Sequence, residues 1–130
     1  MITSEEKALK IAKLIDDKKG SNIKILELKD LTIIADYFVI CSCESTTQVK
    51  ALTEYVDEMM KKEGIRPLGI EGFNHAHWVL MDYNDVIVHI FLEEQRYYYD
   101  LERLWLDAPR IPLEKVEKEI IANKSPATYK

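Results

Sequence analysis

The stretch from Glu71 to Phe91, EGFNHAHWVLMDYNDVIVHIF, places the strongest constraint on how this chain can fold. It predicts two strands joined by a tight turn at Tyr83-Asn84-Asp85, because Asn adopts a positive φ at little cost. Side chains of a strand alternate between two faces, and a two-residue loop fixes how the two strands pair. One face of the predicted hairpin carries Val79, Met81, Val86, Val88 and Ile90, and the other carries Trp78, Leu80, Ile87, His89 and Phe91.

Both faces of this hairpin are apolar, whereas an antiparallel hairpin usually has one polar face. Two arrangements would satisfy such a pattern. Either helices cover both faces, or one face remains open for a partner molecule. The choice between these two arrangements decides much of what the chain can do.

Hydrophobic periodicity predicts the other elements. The near-continuous apolar run from Asp36 to Cys43 is typical of a central strand that is buried on both faces. Pro67 indicates either an edge strand or a position early in its strand. In chain order, the predicted elements are a helix from Thr3 to Gly20, strands over 23–28 and 36–43, a helix from Ser45 to Gly64, a strand over 65–71, the hairpin, and helices over 93–106 and 113–124.

These elements predict an α/β or α+β domain, in which helices flank a mixed sheet of about five strands and an extra helix follows at the C-terminus. Capping boxes formed by Thr3 with Glu6 and by Ser45 with Gln48 predict the starts of the first two helices. Gly20 predicts the end of the first helix. We expect a domain over residues 1–108 and a helical extension with a tail over 109–130.

Composition excludes several classes of function. The net charge of −5 argues against a large phosphate-binding surface, and therefore against sequence-specific binding of nucleic acid. No apolar stretch approaches the roughly 20 residues that span a bilayer, and the N-terminus lacks the features of a signal peptide. Cys41 and Cys43 lie two apart, which is poor spacing for a mutual disulfide and fits a reducing compartment. We expect a cytoplasmic protein.

A nucleotidyltransferase is the first enzyme class to test, because Gly20-Ser21 follows the first predicted helix. Such enzymes need carboxylates that converge on Mg²⁺, usually two Asp residues one apart on a strand. The chain contains no Asp-x-Asp, and Asp82 and Asp85 are better explained as turn residues. Catalysis of this kind is therefore disfavoured.

Metal and redox chemistry are also disfavoured. His75 and His77 could share a strand face, but the alternation of side chains places His89 on the opposite face from His77. No cationic neighbour is spaced to lower the pKa of Cys41 or Cys43, so we interpret both as buried packing residues. The sequence predicts neither a metal nor another cofactor.

Binding of a protein partner is better supported. Aromatic residues concentrate between Phe73 and Trp105, and Trp, Tyr and Arg are the residue types that anchor interfaces. Tyr98 and Trp105 lie on the apolar stripe of the predicted helix over 93–106, so we expect them in the core. For Trp78 we expect an exposed or interface position.

Five motifs together carry a family resemblance. They are Asp36-Tyr37-Phe38-Val39-Ile40, Ser45-x-x-Gln48-Val49, Glu71-Gly72, Trp78-Val79-Leu80-x-Asp82-Tyr83-x-Asp85-Val86-Ile87-Val88-His89-Ile90-Phe91 and Arg96-x-x-Tyr99-x-Leu101-Glu102-x-Leu104-Trp105. Over residues 5 to about 107 the chain resembles the ribosomal silencing factor family, also called the Iojap-related or RsfS family. That family often has Gly where this chain has Cys43 and Asn84. Asn can keep the turn geometry, whereas Cys43 puts in doubt a close backbone approach there.

The resemblance implies a nucleotidyltransferase-like fold that has lost its catalytic carboxylates, which agrees with the missing Asp-x-Asp. It also implies binding to the large ribosomal subunit through the fourteenth large-subunit ribosomal protein. Bound there, such a factor blocks joining of the small subunit and lowers translation when nutrients are scarce. Family members also tend to form homodimers.

We therefore expect a translational repressor that is not an enzyme. A nucleotide-binding or nucleotidyltransferase enzyme is the alternative, and a pure dimerisation module is a third possibility. The expected partner-binding residues are Trp78, Leu80, Asp82, Tyr83, Asp85, Ile87, His89, Phe91, Arg96, Tyr99 and Trp105.

Overall fold

A computed structural model describes residues 2–112 as a six-stranded mixed sheet with helices on both faces. The strand order is β3-β4-β5-β2-β1-β6, in which β2 and β5 are parallel and the other neighbours are antiparallel. The elements are α1 (Ser4–Asp17), β1 (Ser21–Glu27), β2 (Tyr37–Cys43), α2 (Thr46–Lys62), β3 (Gly69–Glu71), β4 (Trp78–Asp82), β5 (Val86–Leu92), α3 (Glu93–Tyr99), α4 (Leu101–Leu104) and β6 (Arg110–Ile111). The predicted fold class is confirmed.

The central strand β2 is buried along its whole length, as its continuous apolar sequence predicts. It lies between β1 and the parallel strand β5, and both of its faces are covered. β3 lies at one edge of the sheet and follows Pro67, which agrees with the predicted edge position.

We call the side of the sheet under α1 and α2 the first face. Its buried cluster contains the predicted set Val79, Met81, Val86, Val88 and Ile90 together with apolar residues of both helices. The capping box of Thr3 and Glu6 is present at the start of α1. At the start of α2, Ser45 accepts from the backbone of Gln48, but the Gln48 side chain accepts from Glu44.

We call the opposite side the second face. Its smaller cluster contains Leu26, Phe38, Ile40, Ile87 and Phe91 from the strands, with Leu28 just after β1, Leu101 of α4 and Ala108. Trp78, Leu80 and Trp105 pack against this cluster and stay half-buried. The second face is therefore covered in part by the chain that follows β5.

The hairpin of β4 and β5 has the predicted register. Val79 pairs with Ile90 and Trp78 pairs with Phe91, so each pair lies on a single face. Asn84 has a φ of 77°, and the Tyr83 amide donates to the Val86 carbonyl at 2.9 Å. The turn therefore uses the positive φ that Asn was predicted to supply.

Gly72 fixes the approach to this hairpin. Its φ is +83°, and a Cβ there would lie far inside van der Waals distance of the Trp78 carbonyl oxygen. A side chain at position 72 would therefore displace the first residue of β4.

Two predictions about the elements were wrong. The helix predicted over 93–106 is broken at Asp100, which adopts a left-handed conformation with φ of 46°. At the end of α1, Lys19 and not Gly20 has a positive φ, whereas Gly20 lacks room for a Cβ beside the Ile15 side chain. The predicted sheet of about five strands has a short sixth strand, because Arg110 and Ile111 pair with β1.

The sixth strand also bears on the expected domain boundary. β6 (Arg110–Ile111) lies past residue 108 and pairs with β1 in the same sheet. The helix predicted over 113–124 lies outside the described residues. None of the helices within residues 2–112 combines the length and apolar character that a membrane crossing requires.

Candidate interaction surface

Trp78 is the centre of a group of aromatic side chains on the second face. Its ring stacks on Phe91 at 4.9 Å between centroids and 25° between planes. On its other side it contacts Tyr99 of α3 at 4.8 Å. Trp78 is half-buried, so part of its side chain is open to solvent.

His89 lies beneath Trp78 and is buried. Its Nδ1 accepts a hydrogen bond of 3.0 Å from the Trp78 indole Nε1–H. Its ring contacts Phe38 edge-on at 4.5 Å between centroids. Burial lowers the pKa of His89 to about 4, so the imidazole is neutral near pH 7.

Ring contacts extend across the second face from Trp78 to Trp105. Trp105 contacts Phe38 edge-on at 6.1 Å, and Phe38 in turn contacts His89. Leu80 is half-buried beside them. We call the half-exposed group Trp78, Leu80 and Trp105, with the exposed Tyr99, the aromatic surface.

Further exposed apolar side chains lie in the segments that cover the second face. Leu104 and Leu106 are 74% and 71% exposed, and both flank Trp105 in the sequence. Tyr98 is 80% exposed, so the expectation that it belongs to the core was wrong. Trp105 packs against the core but is only half-buried, so the expectation that Trp105 belongs to the core is met in part.

Several of the expected partner-binding residues are buried and offer no direct contact area in this structure. The buried residues are Tyr83, Ile87, His89, Phe91 and Arg96. Asp82 accepts from the Asn84 amide at 2.8 Å, and Asp85 pairs with Lys7 at 2.6 Å, so both carboxylates stabilise the turn. Only Trp78, Leu80, Tyr99 and Trp105 of the expected set therefore remain as apolar contact candidates.

Arg96 differs most from its expected role. It is 5% exposed and forms a two-point ion pair with Glu102, at 3.0 Å and 3.2 Å. It also donates to the Asn22 carbonyl and to the Ser42 hydroxyl. Arg96 thus ties α3 to β1 and β2, which a sequence cannot predict because these partners lie more than fifty residues away.

A cavity of about 180 Å³ lies beside Arg96, where the parallel strands β2 and β5 end. Ligands often bind at this position in α/β folds. Its lining, in the described part of the chain, carries the carboxylates of Glu93, Asp100 and Glu102 and a single cation, Arg96. Because Arg96 is already paired, the cavity does not suit a nucleotide phosphate.

The histidines and cysteines do not form a site within residues 2–112. No three His, Cys, Asp or Glu side chains converge there as a metal ion would require. Cys41 and Cys43 are free and buried on β2. A hydrogen bond from Cys41 to Cys43 raises the pKa of Cys41 and lowers that of Cys43, but burial limits access to both thiols.

The geometry defines a mixed α+β domain with half-exposed aromatic side chains on one side of its sheet. Comparison with known proteins gives its family. The family model described as "Ribosomal silencing factor during starvation" (RsfS) matches residues 1–130. The chain belongs to this ribosomal silencing factor family.

Individual relatives agree with this assignment. The ribosomal silencing factor RsfS of Halalkalibacterium halodurans is 40% identical over 114 residues, which cover 87% of this chain and 97% of that protein. The RsfS of Bacillus subtilis is 40% identical and covers 85% of this chain and 95% of its own. The crystal structure of protein CV0518 from Chromobacterium violaceum has a TM-score of 0.75 at 35% identity, covering 80% of this chain and 87% of that chain.

Proposed function

We propose that this protein silences ribosomes by binding the large subunit through the fourteenth large-subunit ribosomal protein. Bound there, it sterically blocks joining of the small subunit and lowers translation when nutrients are limiting. In this proposal the protein acts in the cytoplasm, where the subunits meet, and is a regulator without catalytic activity. The relatives named above are silencing factors by name, which supports the general role.

The observation that carries the proposal is the aromatic surface. Trp78, Tyr99 and Trp105 present large rings that are already ordered by packing, which is how interface anchors reduce the entropy cost of binding. Leu80 adds aliphatic area between them. A net charge of −5 favours encounter with a basic ribosomal protein.

Trp78→Glu tests the docking face directly. A charge at the centre of the aromatic surface should abolish co-sedimentation with purified large subunits, a loss of about a hundredfold or more in affinity for an anchor worth ~3 kcal/mol. The circular dichroism spectrum should match that of the unaltered protein, because the position is half-buried and is the first residue of β4.

Tyr55→Glu is the matched control. Tyr55 is a half-buried tyrosine of α2, on the opposite side of the sheet, with the Lys18 ammonium 4.7 Å above its ring. This variant should bind large subunits as the unaltered protein does. If Trp78→Glu binds normally, or if both variants lose binding equally, the second face is not the docking face.

The steric block needs a separate measurement. Light scattering of mixed subunits should show that the unaltered protein prevents their association, whereas Trp78→Glu permits it. The protein should also co-migrate with free large subunits and be absent from assembled ribosomes. Normal subunit association in the presence of saturating bound protein would contradict the proposed mechanism.

The enzyme alternative can be tested with the same material. Calorimetry with nucleoside triphosphates and Mg²⁺ should show no micromolar binding, because the acidic cavity beside Arg96 repels phosphates. Micromolar binding or turnover would favour the enzyme over the silencing factor.

Self-association is proposed for the free protein, through the same apolar face. A homodimer would cover Trp78 and Leu80 in the absence of the ribosome and would compete with docking. Light scattering should then give a dimer mass that Trp78→Glu converts to a monomer mass. A monomer mass for the unaltered protein at high concentration would reject the dimer.

A further inference from the structure

The orientation of Trp78 depends on three neighbours that act differently. Phe91 and Tyr99 contact the indole at 4.9 Å and 4.8 Å between ring centroids, and they restrict the plane in which it lies. Neither contact decides which edge of the indole is buried, because an aromatic χ2 angle has broad, roughly two-fold preferences. A directional contact is needed to choose between the two edges.

The hydrogen bond from Trp78 Nε1–H to His89 Nδ1 is that directional contact. At 3.0 Å it has ordinary length, and its acceptor belongs to a residue that is itself 3% exposed. The His89 ring is held in turn by Phe38 at 4.5 Å and by stacking on Phe91 at 6.3 Å. The acceptor therefore has a fixed position against which the indole can be oriented.

We propose that His89 is a positioning residue, which fixes the indole edge that Trp78 presents to a partner by accepting its N–H. This inference rests on the proposed function, because it assigns His89 a role in docking through Trp78. His89 itself touches no partner, since it is buried beneath the rings. His89, which was expected to contact the partner, therefore acts indirectly through Trp78.

The chemistry of His89 suits such a role. To accept at Nδ1, the neutral imidazole must carry its proton on Nε2. Nε2 is buried and has no hydrogen-bond partner among the described residues. The rings that pack against His89 from β2, β4 and β5, which are Phe38, Trp78 and Phe91, carry no charge. Burial lowers the pKa of His89 to about 4, so Nδ1 remains an acceptor at neutral pH.

Two variants separate the hydrogen bond from the packing. His89→Phe keeps an aromatic ring but removes the acceptor, whereas His89→Asn places a carbonyl oxygen near the position of Nδ1. The chain has only two tryptophans, so Trp105→Phe assigns both indole N–H signals in a ¹H–¹⁵N spectrum. His89→Phe should shift the Trp78 indole signal and accelerate its exchange with solvent, and His89→Asn should restore both towards the unaltered values.

Binding to large subunits provides the second measurement. Loss of one net hydrogen bond that orients the anchor should weaken binding of His89→Phe about tenfold. His89→Asn should bind within about threefold of the unaltered protein, since it retains an acceptor. A purely structural role would leave the two variants equally affected and would overturn the inference.

The unaltered protein offers a test that does not depend on how the variants fold. Long-range ¹H–¹⁵N correlations should find His89 neutral with its proton on Nε2 at pH 7. A proton on Nδ1, or an unchanged Trp78 indole signal in His89→Phe, would overturn the inference. If these signals behave as expected and Trp78→Glu still binds ribosomes, the proposed docking face is wrong while the orientation of Trp78 by His89 stands.

Discussion

The two faces of the sheet are built from the same strands and are equally apolar in sequence, yet they are covered very differently. On the first face, α1 and α2 supply helices of 14 and 17 residues. Beneath them Val79, Met81 and Ile90 are completely buried. On the second face, α3 and α4 have 7 and 4 residues, and Trp78 and Leu80 remain half-buried.

The alternation of side chains along a strand therefore predicts only which of them share a face. How well a face is covered depends on the length of the helices that follow the strands. The parallel neighbours β2 and β5 lead into helices on opposite faces, α2 on the first and α3 on the second. Because the helix after β5 breaks at Asp100, its side of the sheet keeps accessible rings.

Substituting adjacent residues of β4 gives the most direct test of this contrast. Met81 is completely buried on the first face, and Leu80 is half-buried on the second. Met81→Ala should lower the free energy of unfolding by about 2–5 kcal/mol through the cavity it leaves. Leu80→Ala should cost about 1 kcal/mol, because part of the side chain already contacts water. Urea denaturation gives both values.

Ribosome binding should rank these two variants in the opposite order. Leu80→Ala should weaken co-sedimentation with large subunits, whereas Met81→Ala should bind normally while it is folded. Unchanged urea m-values would show that the same unfolding reaction is compared. Equal losses of stability would mean that both faces are covered equally well.

Acid sensitivity should come from the second face. The pKa of His89 is lowered from 6.5 to about 4 in the folded state, so the unfolded state binds more protons between these values. The contribution of His89 to the free energy of unfolding should be fully present above about pH 6.5. It should fall by about 3 kcal/mol as the pH drops to 4 and level off below that pH.

The difference between the unaltered protein and His89→Phe isolates this effect, because the carboxylates titrate in both. Urea unfolding at half-unit steps from pH 4 to 7.5 should show a steeper fall for the unaltered protein. Parallel curves for the two proteins would show that His89 keeps an ordinary pKa and that the second face is open to water around it.

The smallest effect should come from the helix cap on the first face. Thr3 accepts from the Glu6 amide at 3.1 Å at the start of α1. Thr3→Ala should lower the free energy of unfolding by about 1 kcal/mol, and Thr3→Ser should be close to neutral because it keeps the hydroxyl. Thermal denaturation of the two variants, together with subunit binding that neither should alter, checks the prediction.

Local patterns were sufficient to predict the parts of the fold that depend on local physics. The apolar run of β2, the faces of the hairpin and the positive φ of Asn84 all follow from spacing and residue type. The half-exposed position of Trp78 also agrees with the expectation, since the second face has more apolar positions than its short helices cover.

The remaining features depend on distant contacts or on weak local signals. Arg96 looked like a surface anchor because its partners Asn22 and Ser42 are far away in the sequence. No Gly or Pro at this position predicts the helix break at Asp100. Asp does tolerate a left-handed conformation better than most residues, but this is a weak signal. The spacing of Tyr98, Leu101 and Trp105 predicts one buried stripe, but α3 ends at Tyr99 and the break at Asp100 separates Tyr98 from the other two residues.

The position of Trp78 in the aromatic surface depends on Gly72, a residue that has no side chain. Any substitution there would push a Cβ against the Trp78 carbonyl and shift the start of β4. The indole would then move relative to its neighbours even if position 72 lies outside the docking contact. A saturation screen for loss of binding would therefore include Gly72 in its map of the interface, at a site where the ribosome need never touch the protein.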